Sequence, residues 1–356
     1  MGTIRTAAMA ALVALCGAGT AGAWDRGPVE PFAVVPDIAP GVPSNIEGLA
    51  VGPDGNVYTP TFGFNSQGAL QGNGKLFVFD PDGKLVRAVT VQNSSPHMLG
   101  LAFNPITGAL IVCDFGAGKL LKVDPVTGAS SVFMVAPNAA SSGLNALTFD
   151  AAGNVYASDS FQGVIWKTGP NGTGTNGTPE AWASSAALLG PGTGLTPPFG
   201  ANGIEFNHAG TVMYVADTAY HQIIRIPVNP DGSAGTPGVF TTGINAPDGI
   251  AVDRDDNLWV AANQGDEMVV VDPTGKVIAK LGDFGGISEN GTVNGLLFPA
   301  SPAFSRDGRY LVVTNLALYL PYAGALLAVD SAWTLQVRHF SIARLPAVIP
   351  HLSSGD

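Results

Sequence analysis

Short apolar runs separated by tight turns recur along the chain in one constant order. Each unit has a first run of five residues, a turn, a second run, a third run that ends at an Asp-Pro or similar turn, and a looser fourth run. Asp-Gly and Gly-Asn pairs provide the positive φ that two-residue hairpins need, so the runs are predicted to be antiparallel strands. The first runs are residues 47–51, 99–103, 145–149, 202–206, 248–252 and 300–304.

The six units recur at spacings of 46 to 57 residues, close to the repeat length of propeller blades. We therefore predict an all-β protein, a six-bladed β-propeller with four-stranded blades, as one domain over residues 24–356. The blades are predicted near residues 44–95, 96–140, 141–190, 198–243, 244–286 and 296–345. A strand within residues 29–37 is expected to close the ring against the last blade. Residues 335–342 also have a strand pattern, and the sequence leaves open which of the two strands is outermost.

The first 23 residues have the pattern of a secretory signal peptide. Arg5 provides the positive charge, residues 7–16 are apolar, and Ala21-Gly22-Ala23 matches a small-residue cleavage site. Cleavage is expected before Trp24, which predicts a secreted or periplasmic protein. Cys113 is then the only cysteine, so no internal disulfide is possible.

Composition and charge exclude several classes of protein. With 47 Gly, 27 Pro and 46% hydrophobic residues, the chain is turn-rich and too apolar to be disordered. The 27 acidic residues outnumber the 16 Lys and Arg, and no basic cluster occurs, so no nucleic-acid partner is expected. No apolar stretch is long enough to span a bilayer, so no membrane association is expected. We expect a monomer that acts on a small molecule.

The first residue of each first run is predicted to lie in one ring at a mouth of the central channel, where the innermost strands converge. Blade by blade, this ring is Glu47, Leu99, Asn145, Asn202, Asp248 and Ala300. Four of the six carry oxygen donors, although the repeat accepts Leu and Ala at the same position. Two buried carboxylates are costly without a partner, and a divalent cation would compensate them.

Ligands that are all oxygen favour calcium for this cation, and magnesium, manganese and zinc are the alternatives. The predicted metal ligands are therefore Glu47, Asn145, Asn202 and Asp248. The competing interpretation is that each Asn or Asp only forms local hydrogen bonds with the backbone at a strand start.

Several of these segments resemble the metal-site motifs of the senescence marker protein/gluconolactonase family, the regucalcin-like propellers. The matching segments are Glu47-Gly48, Asn145, Asn202-Gly203 and Pro247-Asp248-Gly249-Ile250-Ala251-Val252-Asp253. The resemblance implies a six-bladed fold that binds calcium or another divalent ion through Glu, two Asn and an Asp. It also implies a relation to lactonases and phosphotriesterases. Residues 213–218 and 221–224 are similar to NHL-type repeats, whose members are often not catalytic.

The chain departs from the family pattern at two positions. Regucalcin-like members have an Arg two residues before the first Asn, where this chain has Gly143, so a neutral or apolar substrate is favoured over a charged sugar lactone. Paraoxonases, which are among the related lactonases that the resemblance implies, have a His at the ring position of the second blade, where this chain has Leu99. His97 is two residues earlier and by strand alternation faces the same way, where it could act as a proton shuttle. The alternative is an exposed loop histidine.

Aromatic residues are frequent in the loops expected at the same mouth. With His97, they are predicted to line a pocket for a largely apolar substrate. These aromatic residues are Phe62, Phe64, Phe115, Phe161, Tyr220 and Tyr319. The long insertions 61–74, 185–200, 284–298 and 316–323 are expected to be lids without secondary structure of their own. The alternative is that the aromatic residues plug the channel.

These features lead to the hypothesis of a divalent-metal-dependent hydrolase of lactones or esters. The ion would polarise the substrate carbonyl, and Asp248 or Glu47 would orient or deprotonate the attacking water. One alternative is a non-catalytic propeller that binds a ligand or a protein and in which the metal only joins the blades structurally. A second alternative is a metal-dependent lyase or isomerase.

Overall fold

The computed structural model of the protein describes residues 26–174, 176–191, 199–325 and 327–350. Within these residues the chain forms six antiparallel sheets of four strands, which confirms the predicted six-bladed β-propeller. The predicted signal peptide, residues 1–23, lies outside the described residues. In the part of the chain that is described, no helix combines the length and the apolar character needed to cross a bilayer.

Each of the first five blades is built from one continuous segment of the chain, and its four strands follow one another from the channel outwards. Blade one consists of Ala50–Val51, Val57–Pro60, Lys75–Phe79 and Leu85–Thr90, and blade two of Met98–Phe103, Leu110–Asp114, Lys119–Val123 and Ser130–Val135. Blade three consists of Leu144–Phe149, Val155–Asp159, Val164–Thr168 and Glu180–Ser184, and blade four of Ala201–Phe206, Val212–Asp217, Gln222–Pro227 and Gly238–Thr242. Blade five consists of Pro247–Val252, Leu258–Ala262, Glu267–Val271 and Val277–Leu281.

Blade six is assembled from both ends of the chain. Its three inner strands are Pro299–Phe304, Tyr310–Asn315 and Ser341–Pro346. Its outermost strand is Glu30–Val34, which pairs antiparallel with Ser341–Pro346. The N-terminal strand is therefore the outermost one, and it closes the ring.

The strand predicted over residues 335–342 is wrong in its placement. Residues Ser331–Thr334 form one turn of helix, and Leu335 and Gln336 continue its hydrogen bonding to Ser331 and Trp333. Leu335 is 53% exposed, so its apolar side chain does not mark a buried strand. Pairing with the second strand of blade six begins only at Ser341.

The long insertions also differ from the prediction, because two of them have small sheets of their own. In the insertion at 61–74, Phe64–Asn65 pairs with Gly68–Ala69, and in that at 284–298, Phe284–Ile287 pairs with Val293–Gly295. The other two contain the 3-10 turns Ala186–Leu188 and Leu320–Ala323, and residues 192–198 lie outside the described part. Further 3-10 turns are Phe115–Ala117, Ala139–Ser141 and Asn263–Gly265.

Close approach of the inner strands brings the six blades together around the channel. A Cβ atom on Gly48 would lie 2.1 Å from the carbonyl oxygen of Leu99, and one on Gly203 would lie 2.2 Å from that of Asp248. Only glycine allows neighbouring backbones to come this close. The residues that precede these glycines are thereby drawn toward the axis.

Candidate functional site

A bulge at the start of the inner strands sets the direction of the ring residues. In blade five, Pro247 pairs with Ala262 and Ile250 pairs with Val260, so that Asp248 and the following glycine oppose a single residue. The same register shift occurs in blades two, three, four and six. A bulge re-aims side chains and is frequent next to functional sites. Here it removes the residue at the ring position from the regular pairing with the second strand.

The structure brings Glu47, Asn202 and Asp248 into contact. They are 5%, 5% and 4% exposed, and both Glu47 and Asn202 interact with the Asp248 carboxylate. Glu47 Oε2, Asn202 Oδ1 and Asp248 Oδ1 are enclosed and have no hydrogen-bond partner of normal geometry among the described residues. Asn145 has the equivalent position on blade three and is buried to the same extent, but it is not among the groups that interact with the Asp248 carboxylate.

The surroundings of the Glu47 and Asp248 carboxyl groups favour the protonated form of each. Burial raises the pKa of Asp248 from 3.8 to about 7. Burial, and then the neighbouring Asp248 charge, raise the pKa of Glu47 well above its usual value. Such a pair retains a proton unless a cation compensates its charge.

The donor set fits a hard divalent cation. Three enclosed oxygens without hydrogen-bond partners, two of them from acidic groups, are the kind of ligand that calcium and magnesium take. Among the described residues no three Asp, Glu, His or Cys side chains cluster in a way that could hold a metal. Such a site would therefore depend on amide oxygens in addition to the two carboxylates. Glu47, Asn145, Asn202 and Asp248 are the residues that could hold the ion.

Two residues absent from the predicted site orient these groups. The Asn202 Nδ2 amide donates to Thr218 Oγ1 at 3.0 Å, which leaves the oxygen of Asn202 as its free atom. The Asn263 Nδ2 amide donates to Asp248 Oδ2 at 2.8 Å, which leaves Oδ1 of the carboxylate without a partner. Each supporting residue thus fixes one side of a ring group and leaves the other side available to a ligand.

The supporting residues share one position of the repeat, directly after the residue that pairs with the start of the inner strand. In blade three this position is Ser160, whose hydroxyl donates to the Ala201 carbonyl at 2.6 Å. In blades one, two and six the position is apolar, with Phe62, Phe115 and Leu316. Alignment of this position across the six repeats is the sequence signal that could have identified the supporting residues.

At the ring and supporting positions, the mouth of the channel is divided into two halves. The polar half is formed by blades three to five, and the apolar half by blades six, one and two. One buried apolar cluster contains Phe62, Leu99, Phe298, Ala300, Leu316, Leu318 and Leu320. Glu47 is the only oxygen donor of the ring that comes from the apolar half.

A continuous aromatic wall covers part of this mouth. Phe62 and Phe115 have ring centroids 5.9 Å apart, and Phe115 and Phe161 have centroids 5.5 Å apart. Phe161 in turn stacks on Phe199 at 5.4 Å. Phe199 is absent from the predicted pocket because it comes at the end of a Gly- and Pro-rich insertion with no strand pattern. The predicted pocket residues Phe62, Phe64, Phe115 and Phe161 all belong to this wall.

Two predicted pocket residues lie outside the wall. Tyr220 is 51% exposed and contacts no aromatic ring among the described residues. Tyr319 packs against Tyr322, with ring centroids 4.9 Å apart, and lines a separate groove of about 380 Å³.

His97 is held in a defined orientation by two contacts with blade one. Its Nδ1 atom lies 2.7 Å from the Phe62 carbonyl oxygen, and its ring stacks on Phe64 at 4.5 Å. Because a carbonyl only accepts, Nδ1 carries the hydrogen and Nε2 of the neutral ring has a free lone pair. His97 is therefore not a free loop histidine. Its position depends on these contacts, because the bulge after Met98 interrupts the strand alternation used for the prediction.

Gly143 leaves room for the aromatic wall. A Cβ atom there would lie 2.8 Å from the Phe161 ring, which is closer than real Cβ contacts allow. Phe161 thus occupies the space into which a longer side chain at position 143 would extend. The position that is Arg in regucalcin-like members, according to the sequence resemblance, is covered by an aromatic ring in this chain.

Comparison with known proteins supports the resemblance noted in the sequence. Residues 197–282 match the SMP-30/Gluconolactonase/LRE-like region. This matched segment contains Asn202 and Asp248, with their supporting residues Thr218 and Asn263. A search of the curated proteins finds no match.

Solved structures with the same fold cover nearly the whole chain. Regucalcin from Agrobacterium tumefaciens, described as a calcium-binding protein, is 19% identical with a TM-score of 0.58, and the match covers 88% of this chain and 94% of regucalcin. A gluconolactonase from Xanthomonas campestris is 15% identical with a TM-score of 0.58, over 85% of this chain and 87% of the other. A streptogramin B lyase is 18% identical with a TM-score of 0.53, over 91% and 99% of the two chains. At these identities the comparisons establish a shared fold.

Proposed function

We propose that the protein is a divalent-metal-dependent hydrolase of apolar lactones or esters. The observation that supports this proposal best is the set of three enclosed oxygens, on Glu47, Asn202 and Asp248, that find no hydrogen-bond partner in the described part of the chain. Two buried acids whose pKa values are raised cost stability in the absence of a counter-charge. A function that needs a cation at this place explains why such a costly arrangement exists at a channel mouth.

The side chains of this chain would divide the work between binding and proton transfer. A calcium ion bound by Glu47, Asn145, Asn202 and Asp248 would act as a Lewis acid toward a carbonyl oxygen. Asn263 and Thr218 would keep the ligand oxygens of Asp248 and Asn202 directed at that place. Because the two Asn ligands are neutral, the four ligand side chains together would carry a charge of −2, which balances one divalent ion.

His97 is our candidate for the proton-transfer group. The Phe62 carbonyl fixes its tautomer, so Nε2 can accept a proton from the attacking water and return it to the leaving alkoxide. The stack on Phe64 restricts rotation of the ring and so favours one orientation of Nε2. Asp248 or Glu47 is the alternative base, as the sequence predicts.

The division of the mouth into polar and apolar halves determines the expected substrate class. The acyl or alkyl part would lie along the wall of Phe62, Phe115 and Phe161, with the carbonyl toward the polar half. None of the ring, supporting or wall residues is a Lys or an Arg. A neutral lactone or aryl ester is therefore expected to be a better substrate than a charged sugar lactone.

The test is turnover of a panel of alkyl lactones, aryl esters and sugar lactones, measured with calcium and after removal of metal with EGTA. We expect activity on apolar substrates only in the presence of metal. A His97→Asn variant should lose a factor of about 100 or more in kcat at unchanged calcium affinity, which is typical of removing a general base. Equal turnover with and without chelator would exclude the mechanism.

The enclosure of the ring favours a second candidate function. The three enclosed oxygens of Glu47, Asn202 and Asp248 are almost inaccessible to solvent, which is compatible with a metal that only joins blades one, four and five. In that case the protein would be a non-catalytic binding propeller. A large loss of thermal stability in EGTA, without activity on any substrate of the panel, would support this candidate over the hydrolase.

We further propose that the protein acts outside the cytoplasm as a monomer. The signal-peptide pattern before Trp24 supports the location. The burial of Cys113, which keeps its thiol from linking two chains, is compatible with a monomer. Detection of a mature chain that starts at residue 24 in a periplasmic or culture fraction would test the location.

A further inference from the structure

The far end of the channel contains a second cavity that the ring of ligands does not use. It has a volume of about 450 Å³ and is lined by residues from the second to fifth positions of the first runs of all six blades. This volume falls in the usual range for small-molecule sites. The aromatic wall lies at the opposite mouth, because the loops that carry it lead away from the other end of the inner strands.

One position of the repeat gives this cavity its chemistry. The fourth residue of the first run is alanine in four blades, which leaves open space at the axis. The two exceptions are on neighbouring blades, Thr148 on blade three and Glu205 on blade four, and of the two only Glu205 lines the cavity. Apolar residues next to this position, including Phe149, Phe206 and Phe304, also line the cavity.

Glu205 is oriented so that one oxygen is held and the other is left without a partner. Its Oε1 accepts hydrogen bonds from the Thr148 hydroxyl at 2.6 Å and from the Phe206 amide at 2.9 Å. No hydrogen bond reaches Oε2 from the described residues. Both bonds to Oε1 stabilise the ionised carboxylate, although burial raises the pKa of this group.

Other charges around this end of the channel leave Glu205 available. His208 lies at the rim and interacts electrostatically with Glu205, but its Nε2 atom is engaged with the Asp253 carbonyl oxygen at 2.6 Å, so it forms no hydrogen bond with the carboxylate. Arg254 and Arg306 are on turns at the same end, and they lie against Gly308 and Gly55 on blades six and one. Neither arginine forms an ion pair with Glu205.

We propose that this cavity binds a small organic cation, a protonated primary amine on an apolar stem, with Glu205 as its counter-charge. The ammonium group would donate to Glu205 Oε2, and the stem would lie against the alanine and phenylalanine side chains. A divalent metal is a poor fit, because a single carboxylate in an apolar wall does not provide six to eight oxygens. The proposal is independent of the metal-dependent hydrolase.

Isothermal titration calorimetry of the purified protein with hexylammonium, hexanol and hexanoate tests the proposal. The titrations are done in EGTA and repeated with calcium, so that failure of the hydrolase proposal leaves this result unaffected. We expect saturable binding of hexylammonium in both conditions, and binding of hexanol and hexanoate that is at least tenfold weaker. Equal affinities for hexylammonium and hexanol would overturn the proposal, whatever the variants show.

The variant Glu205→Gln should weaken hexylammonium binding at least tenfold, and Thr148→Val should weaken it less. Glu180→Gln, which removes an exposed carboxylate from the outermost strand of blade three, is the matched control and should bind like the wild type. A melting temperature of Glu205→Gln at or above that of the wild type verifies that the variant folds. Unchanged binding by Glu205→Gln would contradict the proposed site.

The amine can be free or carried by a lysine side chain, and a second titration distinguishes the two sources. Nα-acetyl-lysine-methylamide presents the same ammonium group on a butyl stem attached to a backbone. Binding of hexylammonium alone identifies a free amine as the ligand class, and binding of both extends the class to lysine side chains. Binding of neither would refute the proposal.

Discussion

Replacement of Asp248 by Asn should stabilise the metal-free protein and do so increasingly as the pH rises. The folded protein raises the pKa of Asp248 from 3.8 to about 7, so the folded state binds this proton more tightly than the unfolded state does. Stability is therefore lost as the pH rises from about 4 to about 7 and stays lower above that range. A shift of about three units corresponds to about 4 kcal/mol at pH 8 and to about 2 kcal/mol at pH 5.

The assay is urea unfolding of the wild type and of Asp248→Asn in EGTA at pH 5 and pH 8. We expect the variant to be more stable by the stated amounts, with an unchanged dependence of the unfolding free energy on urea concentration. Calcium at 1,000 times its Kd adds about 4 kcal/mol to a protein that binds it and nothing to one that does not. Saturating calcium should therefore abolish the difference in unfolding free energy between the wild type and Asp248→Asn at pH 8.

Glu205→Gln is the control for this experiment, because it also removes a carboxylate whose pKa is raised by burial, but this half-buried residue lies outside the ring. Its stability difference from the wild type should be the same with and without calcium. The reasoning would be refuted if Asp248→Asn were less stable than the wild type in EGTA at pH 8. It would also be refuted if calcium left the gap between the two proteins unchanged.

Three further outcomes are expected. Gly143→Ala places a methyl group 2.8 Å from the Phe161 ring, so kcat/KM for an apolar ester should fall several-fold. The control Gly169→Ala, with open space around its methyl group, should behave as the wild type, and equal kinetics of the two variants would contradict the assigned role of the aromatic wall. Asn263→Leu removes the amide that orients the neighbouring carboxylate, and calcium affinity measured by calorimetry should fall 10- to 100-fold; an unchanged affinity would exclude that role. A chain without residues 26–35 lacks the outermost strand of blade six and exposes the edge of its neighbour. It should melt at a much lower temperature in calorimetric scans than a chain that starts at residue 26, and equal melting temperatures would show that ring closure contributes little to stability.

The repeat made the architecture and the ring position predictable. A strand pattern repeated six times fixes the blade number, and the place of a residue within its repeat fixes its distance from the axis. Glu47, Asn202 and Asp248 could be brought together on this basis although they are far apart in the sequence. The prediction of these ring residues needed only their shared position at the start of each first run.

Contacts between repeats were harder to predict, because they depend on register and on distant parts of the chain. The bulge before Ile250 has no marker in the sequence other than glycine, which is also common in turns. Asn263 is recognisable as a supporting residue only when its hydrogen bond to Asp248 is known. The outermost strand of blade six is chosen by pairing between the two ends of the chain, and the apolar pattern after Trp333 could not exclude the alternative.

Calorimetric titration of calcium into EGTA-treated protein tests the existence of the ring site most directly. One saturable site per chain is predicted for the wild type, with binding abolished in both Glu47→Gln and Asp248→Asn. Absence of binding by calcium, magnesium, manganese and zinc, or binding that both variants retain, would contradict a metal centre at the hub of this propeller.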